Sequence, residues 1–144
     1  ILEKPDSWLI INGDSLIFTD LKPFFHRLND SDTDGVILGL SVEDASRYGS
    51  LEYDSNDNLI SFAEKKSGKG VINAVIYLFK QRIIPQFPPH TPLSFEYDIF
   101  PYLLSQGCKI KVHITSAPFL DIGTPESFTQ AEKFILDNQI YFDR

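Results

Sequence analysis

No methionine occurs in the 144 residues, and there is a single cysteine, Cys108. One cysteine excludes an intramolecular disulfide and a cysteine metal cluster. A reducing, cytoplasmic setting is the simplest reading of that usage. No apolar run approaches the roughly 18 residues that suggest a membrane-spanning helix, and Ile1–Asp6 has nothing of a signal peptide. Basic residues are scarce: 13 Lys and Arg against 20 Asp and Glu, a net charge of −7 and a pI near 4.8. With no Lys/Arg cluster, this balance disfavours a nucleic-acid groove. A small phosphate remains within reach if a metal and one or two fixed cations neutralise it. No G-x-G-x-x-G, G-x-x-x-x-G-K or H-E-x-x-H occurs, and no Ser-His-Asp set offers itself from the scattered His26, His90 and His113. Because it lacks methionine and starts almost directly on an apolar strand, the chain is expected to be a piece of a longer protein, or one with its front removed.

What is present reads as one α/β domain, residues 1–144. Trp8–Asn12 is an apolar run of strand length, expected to be buried; Gly13 turns the chain and Asp14 stands just beyond the strand's carboxyl end, the edge at which open α/β sheets bind ligands. Asp20 is expected to cap a helix over Asp20–Leu28. Gly35–Val42 predicts a second buried strand. Gly49–Asp54 and Leu59–Lys65 alternate as a hairpin around the turn Asp54–Asn58, and Val71–Phe79 predicts the central strand. A short helix is expected near Lys80–Ile84 and another over Phe95–Leu104, closed by Gly107. Lys109–Ile114 predicts an exposed-edge strand. Thr124 and Pro125 open a last helix whose buried stripe would be Phe128, Ala131, Phe134 and Ile135.

Asp14 and Asp121 are the candidate cation ligands. Each has a plain alternative: Asp14 as a cap on its own turn, Asp121 as an acid beside a helix start, which taken alone is the commoner case. Two carboxylates from different sheet ends that meet at one point would hold a hard cation with room for water and phosphate oxygens. Glu64 and Lys65 are either a solvated pair or, at the strand's end, a grip on sugar hydroxyls and a point charge for a phosphate. Asn73, an amide in the most apolar strand, requires a hydrogen-bond partner, a loop or a polyhydroxylated ligand. Cys108 is expected to be a small buried residue. The acids of Asn29–Asp34 lack the offsets of a calcium loop.

The succession Ile11-Asn-Gly-Asp14, Arg47-Tyr-Gly49, Phe62-Ala-Glu-Lys65, Ile72-Asn-Ala-Val-Ile-Tyr77, Ser94-Phe-Glu-Tyr-Asp98 and Leu120-Asp-Ile-Gly-Thr-Pro125 resembles sugar-1-phosphate nucleotidyltransferases. Among them it is most similar to the heptose 1-phosphate and mannose 1-phosphate guanylyltransferases. The resemblance implies a Rossmann-like α/β fold, a mixed sheet flanked by helices and incomplete at its amino terminus. It implies that NTP, with GTP favoured, and a sugar 1-phosphate give an NDP-sugar and pyrophosphate. Asp14 and Asp121 would then hold Mg²⁺, Lys65 the sugar phosphate, Glu64 and Asn73 the sugar hydroxyls, and the backbone at Gly49 would approach the sugar. The family's opening G-G-x-G-T-R-L has no counterpart here, so the chain resembles the sugar-and-metal part alone and is expected to be inactive without that segment. Pairing with the segment or with a second copy is expected to cover the apolar strand. Val75 stands where the family has glycine. The rival readings are a non-catalytic sugar-binding or assembly remnant and, third, a nucleotide-sugar glycosyltransferase using Asp30-Ser-Asp32 or Asp32-Thr-Asp34.

Overall fold

A computed structural model describes residues 5–142 apart from 64 and 66. Six strands form one mixed sheet: β1 (Ser7–Ile11), β3 (Gly35–Val42), β4 (Ser50–Tyr53), β5 (Leu59–Ala63), β6 (Gly70–Lys80) and β7 (Ile110–Thr115). Its main order is β5-β4-β6-β3-β7, with β1 on β6 beside β4. Only β3 and β7 run parallel among these pairs; β6 is antiparallel to β1, β3 and β4. A second, two-stranded sheet joins β2 (Ser15–Ile17) to β8 (Phe119–Asp121).

β6 is central because its composition leaves it nowhere else to go: nine consecutive residues, Val71–Phe79, are apolar but for Asn73, and both faces are covered. One face carries Ile37, Tyr77, Phe79, Phe100, Leu103, Ile110 and Val112. The other carries Phe24, Val36, Leu38, Leu40, Ile72, Ala74 and Leu78. The hairpin of β4 and β5 pairs Leu51 with Phe62, as the alternation predicts. β7 takes the outer place beside β3, with Ile110 and Val112 fully buried.

Three expectations are corrected. β1 is not buried: Trp8, Leu9 and Ile11 are 45%, 40% and 57% exposed, because β1 has β6 as its only strand partner among the described residues. An apolar run specifies what a strand would bury, not whether a covering layer is there to bury it. The last helix is broken into α3 (Pro125–Phe128) and α4 (Ala131–Asp137), and neither has a buried residue; Phe134 instead stacks on Phe18 at 5.4 Å, beside Tyr141 at 5.6 Å. Helix α1 spans only Lys22–His26 before a 3₁₀ turn, and its N-cap is Leu21, while Asp20 Oδ1 accepts from the Lys22 N–H. Smaller differences follow the prolines and caps. Lys80–Ile84 is replaced by a 3₁₀ segment, Gln81–Gln86, that holds Pro85; Phe95–Leu104 divides into a π-turn, Phe95–Ile99, and α2 (Phe100–Ser105). Cys108 is half-buried, with Sγ 3.8 Å from Gln86 Oε1. No helix among the described residues is long and apolar enough to cross a membrane.

Candidate functional site

The site forms where β6 changes partners. On one edge β6 pairs with β4 through Ile72, then with β1 from Ile76 to Lys80. In between, the β3 register jumps from Gly39 opposite Asn73 to Ile37 opposite Tyr77, so β6 bulges outward there. Val75 lies in this bulge with φ of +57°, a left-handed conformation rare for a β-branched residue. Two bonds hold it: Val75 N–H donates to Asn73 Oδ1 at 2.9 Å, and Asn12 N–H donates to the Val75 carbonyl at 3.2 Å.

Asn73, 6% exposed, therefore has its partners inside the protein. Its Nδ2 donates to Tyr77 Oη and to Glu96 Oε1, both at 2.8 Å. Both amide hydrogens are committed, so Asn73 orients Glu96. Glu96 comes from the π-turn Phe95–Ile99, whose start is fixed by Ser94 Oγ accepting from Tyr97 N–H and by Asp98 accepting from Ser94 N–H. Its Oε2 faces Gly49; a Cβ on that glycine would sit 3.9 Å from it. Gly49, Phe62, Ala63, Lys65, Glu96 and Tyr97 line a cleft of about 440 Å³, with Lys65 exposed at its wall and Tyr97 83% exposed.

Burial pushes the Tyr77 hydroxyl up to about 12, against the opposing effect of the Asn73 hydrogen bond, with the Glu96 charge adding to the rise. The unfolded chain ionises this phenol near its ordinary pKa of about 10 while the folded protein keeps it neutral. The stabilisation is whole below pH 10 and is lost as pH rises towards 12. The unfolding free energy from urea titrations across pH 9–12 is expected to fall by on the order of 2 kcal/mol more in the wild type than in Tyr77→Phe.

Asp14 and Asp121, 107 positions apart in sequence, stand side by side. β2 and β8 pair Ser15 with Asp121, and Ile122 N–H donates to the Asp14 carbonyl at 2.8 Å. A Cβ placed on Gly123 would lie 3.0 Å from Asp121 Oδ1 and 3.6 Å from Asp14 Oδ2, so both carboxylates border the space that this glycine leaves open. Gly123 N–H donates to Asp121 Oδ1 at 2.8 Å and orients it. The capping box of Thr124 and Ser127 fixes the chain immediately beyond. Two hard oxygen donors with open space between them suit an octahedral cation such as Mg²⁺, whose other positions phosphate oxygens and water would fill. Among the described residues no group of three or more His, Cys, Asp or Glu side chains forms a closed metal cage.

Gly49 and Lys65 thus line the cleft, buried Asn73 reaches it only through its hydrogen bond to Glu96, and Glu64 lies outside the described residues. Asp30 and Asp32 serve elsewhere: Asp32 N–H donates to Asp30 Oδ1, and Asp32 pairs with Lys109 at 3.6 Å. Glu96 and Tyr97 are the site residues that sequence reasoning passed over. Their signal was there in Ser94-Phe-Glu-Tyr-Asp98, but helical spacing assigned it to a helix start instead of a cleft wall.

Residues 1–138 match the nucleotidyl transferase family model. The chain is 33% identical to the mannose-1-phosphate guanylyltransferase of Mycobacterium tuberculosis, over 88% of this chain and 36% of that protein. It is 34% identical to the D-glycero-alpha-D-manno-heptose 1-phosphate guanylyltransferase of Campylobacter jejuni, over 90% of this chain and 55% of that protein. Among solved structures, HddC from Yersinia pseudotuberculosis complexed with GMP-PN superposes with a TM-score of 0.76 at 36% identity, over 91% of this chain and 56% of that one. The chain therefore spans between about a third and just over half of these proteins' lengths. With a family model matched along nearly its whole length and with the mixed sheet of the solved relatives, the chain belongs to the nucleotidyl transferase family.

Proposed function

We propose that this chain forms the sugar-phosphate and metal part of a sugar-1-phosphate nucleotidyltransferase, with guanylyl transfer to a mannose or heptose 1-phosphate as its reaction. The observation that carries the reading is the meeting of Asp14 and Asp121 around Gly123, next to the bulge whose Asn73 orients Glu96. An oxygen of the sugar phosphate attacks the α-phosphorus of the NTP. The bond from that phosphorus to the bridging oxygen breaks, and pyrophosphate leaves with the electron pair. The attacking phosphate is already an anion, so no general base is needed, and the protein's task is positioning and charge neutralisation. Asp14 and Asp121 would hold Mg²⁺, which when bound supplies Lewis-acid stabilisation of the phosphate oxygens. Lys65 neutralises the sugar phosphate, the free oxygen of Glu96 accepts from a sugar hydroxyl, and Gly49 lets the ring approach the backbone. Glu64 is assigned a hydroxyl contact by its place beside Lys65 in the family pattern.

The second reading is a non-catalytic sugar-binding or assembly module, which would need only the cleft of Gly49, Lys65 and Glu96. Pairing of the open β1 edge with a second copy or a complementing segment accompanies either reading. Pyrophosphate release from GTP and mannose or heptose 1-phosphate, assayed on the product of the full reading frame with Mg²⁺, separates them. Turnover that requires both substrates is the expected result. Sugar-phosphate binding without pyrophosphate release would favour the module, and neither binding nor release would overturn both.

A further inference from the structure

We infer that Val75 is a size filter for the sugar, narrowing the space between Asn12 and Glu96 that adjoins the cleft against sugar 1-phosphates with a long exocyclic arm; this rests on the reading above. Three observations meet at this residue. First, a β-branched side chain is held at φ +57°, where the backbone suits glycine or asparagine. Second, the strain is over-determined from outside the residue: Asn73 fixes its N–H and Asn12 its carbonyl, so the bulge does not relax. Strain kept in this way collects at ligand sites. Third, Val75 lines two cavities, of about 240 and 350 Å³. The first is walled by Ile11, Asn12 and residues 74–76, with β2 and the two residues that follow it. The second reaches from Asn12 and Val75 to Tyr77 and Glu96. Glu96 also lines the cleft of Lys65 and Gly49. The isopropyl group thus forms part of the wall that any ring held by Glu96 would face towards Asn12. On its inner side Val75 packs against the core cluster that includes Tyr77.

A hexose ends in one hydroxymethyl group, and a heptose carries one carbon more. Val75 favours the shorter arm, and removing its side chain opens the wall to the longer one. The difference is one carbon unit against a fixed wall, which discriminates by roughly 10- to 200-fold. kcat/KM for mannose 1-phosphate and for the corresponding heptose 1-phosphate would be measured on the product of the full reading frame and on Val75→Gly, Val75→Ala and Val75→Ile. The heptose-to-hexose ratio is expected to rise about tenfold in Val75→Gly, to rise less in Val75→Ala and to fall in Val75→Ile. Val75→Ala keeps the Cβ and guards against a misfolded glycine variant. A wild type that turns over while the ratio stays fixed in all three variants overturns the inference and leaves the proposed function standing. No turnover of either sugar in any form removes both.

Discussion

Asp14→Asn and Asp121→Asn are each expected to lower kcat/KM for nucleotidyl transfer by about a thousandfold, and the double variant by no more than either alone. A metal ion at a reacting phosphate contributes several kcal/mol of charge stabilisation, and each ~1.36 kcal/mol is tenfold in rate. The near-absence of additivity is the sharper half of the expectation. The two carboxylates border one space at Gly123, so removing either leaves a single donor for the same ion. Residues that act as a unit lose their joint contribution once, not twice. Asn keeps the shape and one oxygen, so folding is left alone: Asp14 is exposed, and substitutions of that kind change stability by within about 0.5 kcal/mol. The accompanying readout is the Mg²⁺ concentration for half-maximal rate, expected to rise in both single variants. Losses that multiply in the double variant, or Asp121→Asn with wild-type Mg²⁺ dependence, would mean that the acids serve separate purposes. The chain's own charge makes the ion more consequential. On the proposed reading, a chain at −7 that binds two phosphorylated substrates has to gather positive charge locally, and among the described residues lining this cleft Lys65 is the basic side chain.

The strands could be read from the sequence because period and apolarity act locally; the site could be read only in part because its assembly is long-range. Gly35–Val42 and the β6 run are specified by what their own residues need to bury. The hairpin Ser50–Tyr53 and Leu59–Ala63 is specified by a turn of Asp and Asn, in which Asp57 takes φ +61°. Asp14 and Asp121 announced themselves through short strand ends and a capped helix. Their proximity depends on the β2–β8 pairing, which involves only three residues a side and leaves little imprint on composition. The same limit explains the two main corrections. Trp8–Ile11 and Phe128–Ile135 are apolar enough for interiors, yet a pattern records only a demand for cover. Asn73 marks the opposite case. An amide inside an apolar strand had to be bonded, and the unexpected part was its partner: Glu96, 23 positions away, on a turn that a helical period had disguised.

Phe100→Ala is expected to destabilise the protein by about 3–5 kcal/mol, the range for emptying a buried phenylalanine site. The side chain is 0% exposed and lies at the centre of an aromatic cluster. Its ring centroid is 5.0 Å from Tyr77, edge-on, and 5.4, 5.6 and 6.1 Å from Phe62, Phe79 and Phe95. Alanine leaves a cavity that these rings fill poorly, and aromatic pairs contribute about 0.5–1.5 kcal/mol each beyond burial. Against a total stability of about 5–15 kcal/mol, the melting temperature should drop by roughly 10 °C or more at this chain length. Phe100→Leu, which retains most of the volume, should lose well under half as much. The consequence reaches the cleft. Phe95 and Phe100 bracket the π-turn that carries Glu96, and Tyr77 shares Asn73 with it, so the aromatic core holds both ends of the Asn73–Glu96 contact. At temperatures where Phe100→Ala is still folded, KM for the sugar 1-phosphate should rise while the Mg²⁺ dependence stays that of the wild type, because Asp121 belongs to the separate β2–β8 sheet and Asp14 immediately precedes β2. Tyr97→Ala, at an 83% exposed position of the same turn, should leave the melting temperature within about a degree or two and serves as the control. A Phe100→Ala protein that melts with the wild type would mean that the turn is anchored by its caps alone, Ser94 and Asp98, and not by the core beneath it.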